Sequence, residues 1–493
     1  MKLKVKNFEW LAGRPVVILD DETAKKLNVH LDERVSLSFG GKNLYAVVDL
    51  FQKIVTTGEI GVSREISSFL NLKEGCEMEV STAPMSKASK IIKKKLEGEV
   101  LDEEEINILI SEIVRNNLTE AEIAYFVAAE TIHGLNMKET IFLTRAMVNN
   151  GKKISFGHGK MIADKHCIGG IAGNRTTPIV IPICAAAGLI LPNTASRAIT
   201  SAAGTADVLE TISNVEFSSE DLKKIVEKIG ACLVWGGSLG LAPSDDKIIQ
   251  VERLLNLDAE SQLLASIMSK KIAVGTTHLL IDIPYGESAK ITKSRAKDLA
   301  KKFKIIADSF NIKTKILLTN GEQPIGNGIG PVLEMLDVLA VLKNKEYAPF
   351  DLREKSLFLA TELMSLCGIK DAKQKAEEIL NSGKAFEKFK EIINAQNKDK
   401  NFESRVKELK PAKFSKTIYS NKSGKIFNIN NKKINQIGRI LGTPGSVTAG
   451  AYLHKHLGSV KENDALLTIY SESEQKLQDA LDYFKQEKVF DIK

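Results

Sequence analysis

Residues 164–188 read DKHCIGGIAGNRTTPIVIPICAAAG, and residues 196–205 read SRAITSAAGT. Two polar loops, both rich in small residues, therefore flank one apolar helix. Glycines let a backbone approach an anion closely, and the amides at a helix start favour negative charge. Lys165, Arg175 and Arg197 add counter-charge, and the Ser and Thr hydroxyls add donors. The pattern predicts a site for a ligand with one or two phosphates. The alternative is a plain glycine-rich turn before a buried helix.

Length and composition exclude several classes of protein. With 493 residues the chain is too long for one core, and about 100–200 residues per domain suggests three or four domains. A net charge of +7 over this length does not indicate a nucleic-acid partner. The five cysteines form no Cys-x-x-Cys pair, so we expect no disulfide framework, no zinc site and a reducing, cytoplasmic location. The apolar run Pro178–Pro192 is short of the roughly 20 residues that a membrane span needs, so no membrane partner is expected.

Residues 1–84 contain an internal repeat. The segment from Leu19 to Leu37 matches the segment from Val62 to Val80, with a constant offset of 43 residues. Each copy has the pattern of a strand, a short capped helix, a turn and a strand. Two such halves interlock into one small barrel because neither buries its apolar face alone. The pattern resembles the double-psi β-barrel, and we expect a docking or assembly role.

The rest of the chain divides by its periodicity. Capping-box spacing at Asp102 with Glu105 and at Thr119 with Glu122 predicts helices in a helical domain. From about residue 160, strand-like and helix-like segments alternate, which predicts a mostly parallel α/β sheet. We therefore expect an α/β protein with five parts. They are an N-terminal β-barrel-like domain (1–84), a helical domain (85–155), a central phosphate-binding α/β domain (156–345), a helical part or linker (346–414) and a small C-terminal α+β domain (415–493). The helices at 245–275 of the central domain are expected to pack on the helical domain.

A second chemical cluster lies between residues 258 and 290. Ser266 and Lys270 are four residues apart and share a helix face, and Asp258 precedes them by two turns on roughly the same side. Lys290 follows a strand and a turn, which suits an anion. Such a set can hydrogen-bond a heterocycle and deliver a proton. The alternative is a capped, solvated helix end.

These motifs occur together in one family. Asp164-Lys165-His166 with Gly169-Gly170, then Ser196-Arg197, then residues 265–271 (ASIMSKK) resemble the thymidine/pyrimidine nucleoside phosphorylase family over roughly residues 86–493. Within it, the N-terminal extension and the two phosphate loops are most similar to the archaeal AMP phosphorylases. Two departures from the nucleoside enzymes are Cys167-Ile168 in place of Ser-Thr, and Val251 where those enzymes hold a pyrimidine with an Arg.

The resemblance implies phosphorolysis of AMP, with CMP and UMP as further candidate substrates, to free base and ribose 1,5-bisphosphate in nucleotide salvage or degradation. It implies inorganic phosphate as co-substrate, no cofactor, no metal, and a homodimer or larger homo-oligomer. Asp258 is the expected proton donor, assisted by a raised pKa, with His166 next in line. The residues expected to contact AMP are Gly170, Ser196, Arg197, Ala198, Ile199, Thr200, Ser201, Thr205, Ser266 and Lys290. Those expected to hold the attacking phosphate are Lys165, Thr177 and Lys270. Lys290, Arg197 and Arg175 are alternatives for the 5′-phosphate.

Three other functions compete with this one. A pyrimidine nucleoside phosphorylase acting on thymidine or uridine is the first. A phosphoribosyltransferase of the same architecture, which needs magnesium and diphosphate, is the second. A nucleic-acid binder is the third, and the lack of a basic stripe with interleaved aromatic residues disfavours it.

Overall fold

The computed structural model describes residues 1–84, 86–198, 201–255, 257, 259–397 and 401–493. These form two compact units. Unit 1 contains Met1–Asn150 and Pro243–Ser266, and unit 2 contains Gly151–Ala242 and Ile267–Lys493. Asp258, Ile199 and Thr200, which the sequence places in the candidate site, lie outside the described residues.

Unit 1 begins with a closed six-stranded barrel, in the strand order β1-β5-β2-β4-β3-β6. Its elements in chain order are β1 (Lys2–Asn7), β2 (Val16–Leu19), α1 (Asp21–Leu27), β3 (Arg34–Phe39), β4 (Lys42–Leu50), β5 (Glu59–Val62), α2 (Arg64–Leu70) and β6 (Glu77–Thr82). The strands and helices of the second half repeat those of the first at the offset seen in the sequence. Both helices end at an asparagine in the left-handed region, Asn28 (φ 53°) and Asn71 (φ 57°).

The remainder of unit 1 is helical. It contains α3 (Ala88–Leu96), α4 (Glu103–Val114), α5 (Glu120–His133), α6 (Met137–Asn149) and α10 (Pro243–Leu255). The predicted capping boxes at the starts of α4 and α5 are both present, and a third at Asn136 begins α6. Helix α4 buries one apolar stripe, formed by Ile106, Leu109, Ile110 and Ile113. Helix α10 packs on α4, α5 and α6.

Unit 2 carries a parallel α/β arrangement, which confirms the predicted fold class. Strands pair in parallel in the orders β11-β10-β7 and β8-β9, and a parallel bridge joins Ile162 to Ile190. The strands are β7 (Ala163–Cys167), β8 (Leu191–Ala195), β9 (Ala231–Trp235), β10 (His278–Tyr285), β11 (Lys313–Asn320) and β12 (Gly328–Ile329). The helices are α7 (Thr177–Ala186), α8 (Thr205–Glu210), α9 (Ser219–Ile229), α12 (Lys293–Ser309), α13 (Pro331–Leu342), α14 (Phe350–Leu366), α15 (Ala372–Asn381), α16 (Lys384–Gln396) and α17 (Phe402–Glu408), with a 3₁₀ turn at Gly236–Leu239. Helix α11 (Glu260–Ala273) contains the boundary between the units.

The main core of unit 2 surrounds helix α7. Every residue of α7 from Pro178 to Ala185 is buried, and helices α14 and α16 pack against it. The apolar stretch that follows the first polar loop is therefore a core helix, as its sequence predicts. None of the helices in the described part of the chain is both long and apolar enough to cross a membrane.

The C-terminal part of unit 2 is α+β. It consists of β13 (Phe414–Tyr419), β14 (Gly424–Ile429), α18 (Asn431–Leu441), β15 (Gly450–Leu453), β16 (Gly458–Val460), β17 (Ala465–Ser471), α19 (Glu474–Gln486) and β18 (Phe490–Ile492). Two antiparallel sheets result, β12-β15-β17-β13 and β16-β14-β18. Strand β12 belongs to the α/β part, where it precedes α13, and it pairs with β15 of the C-terminal part. The first sheet therefore joins the two parts of unit 2.

Candidate active site

Three loops of unit 2 begin at the same edge of its three-stranded sheet. In the parallel register, Cys167 of β7 lies opposite Asp282 of β10, and Tyr285 at the end of β10 lies opposite Asn320 at the end of β11. Ligands of parallel α/β sheets bind at the carboxyl ends of the strands. The loops after β7, β10 and β11 therefore form the candidate site.

Lys165 and two threonines build the first part of this site. The buried Lys165 Nζ donates to Thr176 Oγ1 at 2.7 Å and to Thr177 Oγ1 at 3.0 Å, at the start of helix α7. Burial is the largest cause of a lowered Lys165 pKa, and the nearby Lys355 and Arg175 act in the same direction. A cation, two hydroxyls and a helix start therefore lie together, and this combination suits an oxyanion.

A buried ion pair supports strand β7 beneath that cation. Lys271 Nζ lies 2.8 Å from Asp164 Oδ2, and both side chains are fully buried. Asn193 Nδ2 donates to Asp164 Oδ1 at 2.7 Å and to the Lys165 carbonyl at 3.1 Å. These contacts hold the Lys165 segment in place from helix α11 and strand β8. Sequence reasoning assigned no role to Lys271 or Asn193.

A second buried pair lies on the other side of Lys165. Asp282 accepts from Thr319 Oγ1 at 2.6 Å, and its other oxygen lies 3.1 Å from Lys355 Nζ. Burial alone would raise the Asp282 pKa, but Lys355, Lys165 and Thr319 outweigh it and hold that pKa below its ordinary value. The only sequence signal for this group was a carboxylate inside the apolar strand β10.

Gly170 and Lys290 meet where the loops after β7 and β10 touch. Gly170 has φ +90°, and a Cβ added to it would lie 2.6 Å from Lys290 Cβ and 2.7 Å from Lys290 N. The close approach requires glycine at this position. Two residues that the resemblance assigns to the nucleotide are thus neighbours.

The loop of residues 196–205 is closed by a carboxylate. Asp207 Oδ2 accepts the backbone N–H groups of Ala198 and Gly204, each at 2.8 Å, and the Ser196 carbonyl accepts from the Ala206 N–H at 3.2 Å. Ser201 Oγ donates to the Ala203 carbonyl at 3.0 Å. The two ends of the loop are therefore fixed to the start of helix α8.

Two arginines of the loops contact protein groups. Arg197 pairs with Asp207 (3.3 Å) and Glu216 (3.1 Å), makes a bidentate pair with Glu210, and lies over the Trp235 ring at 4.7 Å. The pKa of the Arg197 guanidinium is raised, and its hydrogen bonds to Glu210 are the largest cause.

The Arg175 guanidinium is likewise engaged. It contacts Glu334 Oε2 at 2.6 Å, Thr205 Oγ1 at 2.8 Å and the Ala203 carbonyl at 3.0 Å. Because Thr205 accepts this bond, its hydroxyl hydrogen can be donated to a ligand oxygen. Both arginines therefore support the 196–205 loop.

His166 is half-buried among cations. Its burial, followed by Lys271, Lys165, Lys270 and Lys290, lowers the His166 pKa well below its ordinary value. The imidazole is therefore neutral at physiological pH, where it is a weak proton donor.

Lys270 and Ser266 were both predicted to lie on one face of helix α11. In unit 2, Lys270 lies beside Gly236, since a Cβ added to that glycine would be 3.8 Å from Lys270 Cδ. In unit 1, Ser266 Oγ donates to Asp245 Oδ2 at 2.7 Å, and Gln262 Nε2 donates to Asp245 Oδ1 at 2.9 Å. Asp245 is a partner that sequence reasoning did not identify.

No group of three or more His, Cys, Asp or Glu side chains suited to a metal ion occurs in the described ranges. The five cysteines are free thiols. Burial and the neighbouring Asp282 raise the pKa of the Cys167 thiol to about 11, so it is protonated at neutral pH.

Two family models match this chain. Residues 89–151 match the helical bundle domain of a glycosyl transferase family, and residues 159–386 match the a/b domain of a glycosyl transferase family. Among relatives, AMP phosphorylase 1 of Archaeoglobus fulgidus is 40% identical over 98% of this chain and 95% of its own length. AMP phosphorylase of Thermococcus kodakarensis is 42% identical over 98% of this chain and 96% of its own.

Another name and a solved structure also occur among the matches. A putative thymidine phosphorylase of Legionella pneumophila is 39% identical over 92% of this chain and 87% of its own. The crystal structure of anthranilate phosphoribosyltransferase from Thermus thermophilus superposes with a TM-score of 0.52 at 17% identity, covering 62% of this chain and 98% of that one. At that identity the likeness shows the fold alone.

Proposed function

The chain belongs to the AMP phosphorylase family, and on this premise we propose that it converts AMP and phosphate into adenine and ribose 1,5-bisphosphate. It is a glycosyltransferase of the pentosyl-transferring kind, and phosphate is its co-substrate. CMP and UMP are further proposed substrates. We also propose that it acts in the cytoplasm as a homo-oligomer, in nucleotide salvage or degradation.

The observation that carries this proposal is the presence of two lysines at one sheet edge, each in contact with the loop after β7. Lys165, near the end of β7, contacts Thr176 and Thr177 beyond the loop that follows this strand, and Lys290, after β10, lies against Gly170. Phosphorolysis of a nucleoside monophosphate involves two anions, the attacking phosphate and the 5′-phosphate. Two adjacent anion sites suit such a substrate better than a nucleoside, which brings no phosphate of its own.

We assign the two anions by the contacts of the two lysines. The Lys165 ammonium is fixed by two threonine hydroxyls, which suits the attacking phosphate, with Lys270 as a second cation. Lys290, which lies against Gly170 of the loop after β7, is the proposed ligand of the 5′-phosphate. Backbone groups of the loop after β7 and of residues 196–205, with Thr205, are proposed to bind the rest of the nucleotide, as is Ser266.

In the proposed reaction, a phosphate oxygen attacks C1′ of the ribose as the glycosidic bond breaks. Positive charge then develops on the sugar and negative charge on the departing adenine. Protonation of the base makes it a better leaving group, and Asp258 is the proposed acid. The neutral state of His166 supports this choice, because a neutral imidazole donates a proton far less readily than a protonated carboxyl group.

The test is an assay of phosphate-dependent base release over AMP, CMP, UMP, adenosine, thymidine and uridine. We expect AMP to exceed adenosine in kcat/KM by more than about 100-fold, because a site built for the 5′-phosphate is left with unpaired polar groups by adenosine. Faster turnover of thymidine than of AMP would instead establish a pyrimidine nucleoside phosphorylase. A requirement for magnesium and diphosphate would indicate a phosphoribosyltransferase.

A further inference from the structure

One helix of the C-terminal part reaches the loops of the candidate site. Helix α18 carries Asn431 and Asn435, four residues apart and therefore on one face, and both side chains are buried. The helix lies far beyond the site loops in sequence, as the hydrogen bonds from Asn431 to Gly321, Ser288 and Ala172 span 110, 143 and 259 residues. A buried amide side chain must be hydrogen-bonded, so its partners identify what the helix holds.

Asn431 joins all three loops that follow the parallel strands. Its Oδ1 accepts the Ala172 N–H at 3.1 Å, in the loop after β7. Its Nδ2 donates to Ser288 Oγ at 3.2 Å, after β10, and to the Gly321 carbonyl at 3.0 Å, after β11. Its own N–H donates to Ser288 Oγ at 3.0 Å. Ser288 is two residues before Lys290.

Asn435 makes the corresponding contact with the fourth loop. Its Oδ1 accepts the Ala202 N–H at 3.0 Å, within the segment of residues 196–205. The helix approaches closely here, since a Cβ added to Gly438 would lie 2.7 Å from the Ala202 Cβ. Glycine at this position therefore lets helix α18 lie directly against the loop.

These contacts determine the separation of the loops that carry Gly170 and Lys290, which matters for binding. Gly170 is two residues before Ala172 and Lys290 is two residues after Ser288, so the Asn431 side chain lies between the same two loops that meet at Gly170 and Lys290. Binding groups act well only when neighbouring contacts hold them within about 0.5 Å of the productive geometry. A loop held only at its strand end would not meet that requirement.

We propose that Asn431 is a positioning residue for the reaction: it sets the separation of the loops that carry Gly170 and Lys290, and so the affinity for the 5′-phosphate of the nucleotide. Asn435 does the same for the 196–205 loop. The inference rests on the proposed function for its substrate, whereas the positioning itself is a property of the free protein.

The kinetic test compares Asn431→Ala with Asn430→Ala. Asn430 caps the same helix by accepting the Lys433 N–H at 3.1 Å, so its loss weakens α18 without removing a bond to a site loop. We expect Asn431→Ala to raise KM for AMP about tenfold, because Ala172 N–H, Ser288 Oγ and the Gly321 carbonyl lose a buried hydrogen-bond partner. We expect kcat and KM for phosphate to change by less than about threefold. Asn430→Ala should leave all three constants near those of the wild type.

A second variant pair guards against misfolding. Asn435→Asp keeps the oxygen that accepts the Ala202 N–H, and Asn435→Ala removes it. We expect Asn435→Ala to raise KM for AMP and Asn435→Asp to restore most of the wild-type value. Equal effects of the two substitutions, or equal effects of Asn430→Ala and Asn431→Ala, would overturn the inference.

Hydrogen exchange of the free protein separates this inference from the proposed function. Asn431→Ala should speed amide exchange at Ala172 and in peptide 286–290, and Asn430→Ala should not. Unchanged exchange in a folded Asn431→Ala protein overturns the positioning role even if AMP is a good substrate. If the wild type does not turn over AMP but Asn431→Ala still speeds exchange, the positioning role is upheld and AMP is rejected as the substrate.

Discussion

The Lys355 ammonium lies 3.1 Å from the Asp282 carboxylate, and both side chains are at least nine-tenths buried. Lys355 is on helix α14 and Asp282 on strand β10, next to the strand that carries Lys165. Breaking a buried pair leaves an uncompensated charge, which costs more than the net value of the pair.

Lys355→Met should therefore destabilise the protein by about 3–5 kcal/mol at pH 7. Lys355 holds the Asp282 pKa below its ordinary value in the folded protein. The stability that comes from this lowered pKa is fully present above the unfolded pKa of about 3.9, and it is lost as pH falls through the folded pKa. In the variant the Asp282 pKa rises. The difference in stability between the variant and the wild type should therefore shrink as Asp282 takes up a proton in acid. Urea unfolding at pH 7 and pH 5 measures both effects. The double variant Lys355→Met/Asp282→Asn should regain part of the loss, and a double variant as unstable as the single one would contradict the explanation.

Gly170→Ala should impair AMP binding far more than Gly169→Ala. Both glycines have positive φ, +90° and +82°, so both substitutions strain the backbone. Only at position 170 would the new Cβ also collide with Lys290, at 2.6 Å, because nothing lies within 4 Å at position 169. We expect an AMP KM at least about tenfold higher in Gly170→Ala than in Gly169→Ala, as 1.4 kcal/mol of lost contact would give. Equal KM values would show that the two loops need not touch.

Cys167→Ser should bind phosphate more tightly than the wild type. The Cys167 thiol, with a pKa of about 11, is protonated and a weak donor, whereas a serine hydroxyl at this position donates a stronger hydrogen bond. We expect KM for phosphate to fall about threefold to tenfold, within the range of one hydrogen bond. Cys167→Ala serves as the control, and a similar fall in that variant would assign the effect to side-chain size.

His166→Gln should make stability less sensitive to mild acid. The folded pKa of His166 lies well below the unfolded value of about 6.5, so the unfolded chain takes up a proton first as pH falls. The wild type therefore loses stability from about pH 6.5 downward to the folded pKa, and glutamine removes that contribution. The free energy of unfolding at pH 7.5 and pH 5.5 gives the difference. An equal loss in both proteins would show that His166 is not held neutral.

Asp258→Asn should lower kcat by about 10²–10⁴-fold, the usual value of a general acid, with little change in the dissociation constant for AMP. Single-turnover base release together with titration of AMP measures the two quantities. Asp258→Glu is the control, because it keeps a carboxyl group at a changed position. An undiminished kcat in Asp258→Asn would assign the proton transfer to another group.

The helical, α/β and α+β parts could be predicted from the sequence because their signals are local. Capping residues such as Asp102 and Thr119 lie three residues from their partners, and the repeat of the barrel appears as a fixed offset. The glycine and hydroxyl composition of residues 164–177 predicts an anion loop from local signals as well, and this stays a prediction. The protein partners of Arg175 and Arg197 could not be predicted. A guanidinium beside a phosphate loop has the same sequence pattern whether it binds a ligand or a protein carboxylate, and here both contact carboxylates.

The sequence by itself determined the fold class, the position of helix α7 between two polar loops and the family, since periodicity and motif spacing depend on near neighbours along the chain. The tertiary structure alone decided what supports those loops. Asn431 lies 259 residues from Ala172 and Lys355 lies 73 residues from Asp282 in sequence, and only folding brings each pair within hydrogen-bonding or ion-pair distance. A single asparagine or lysine in a helix has the pattern of any polar residue until the groups that it faces are known.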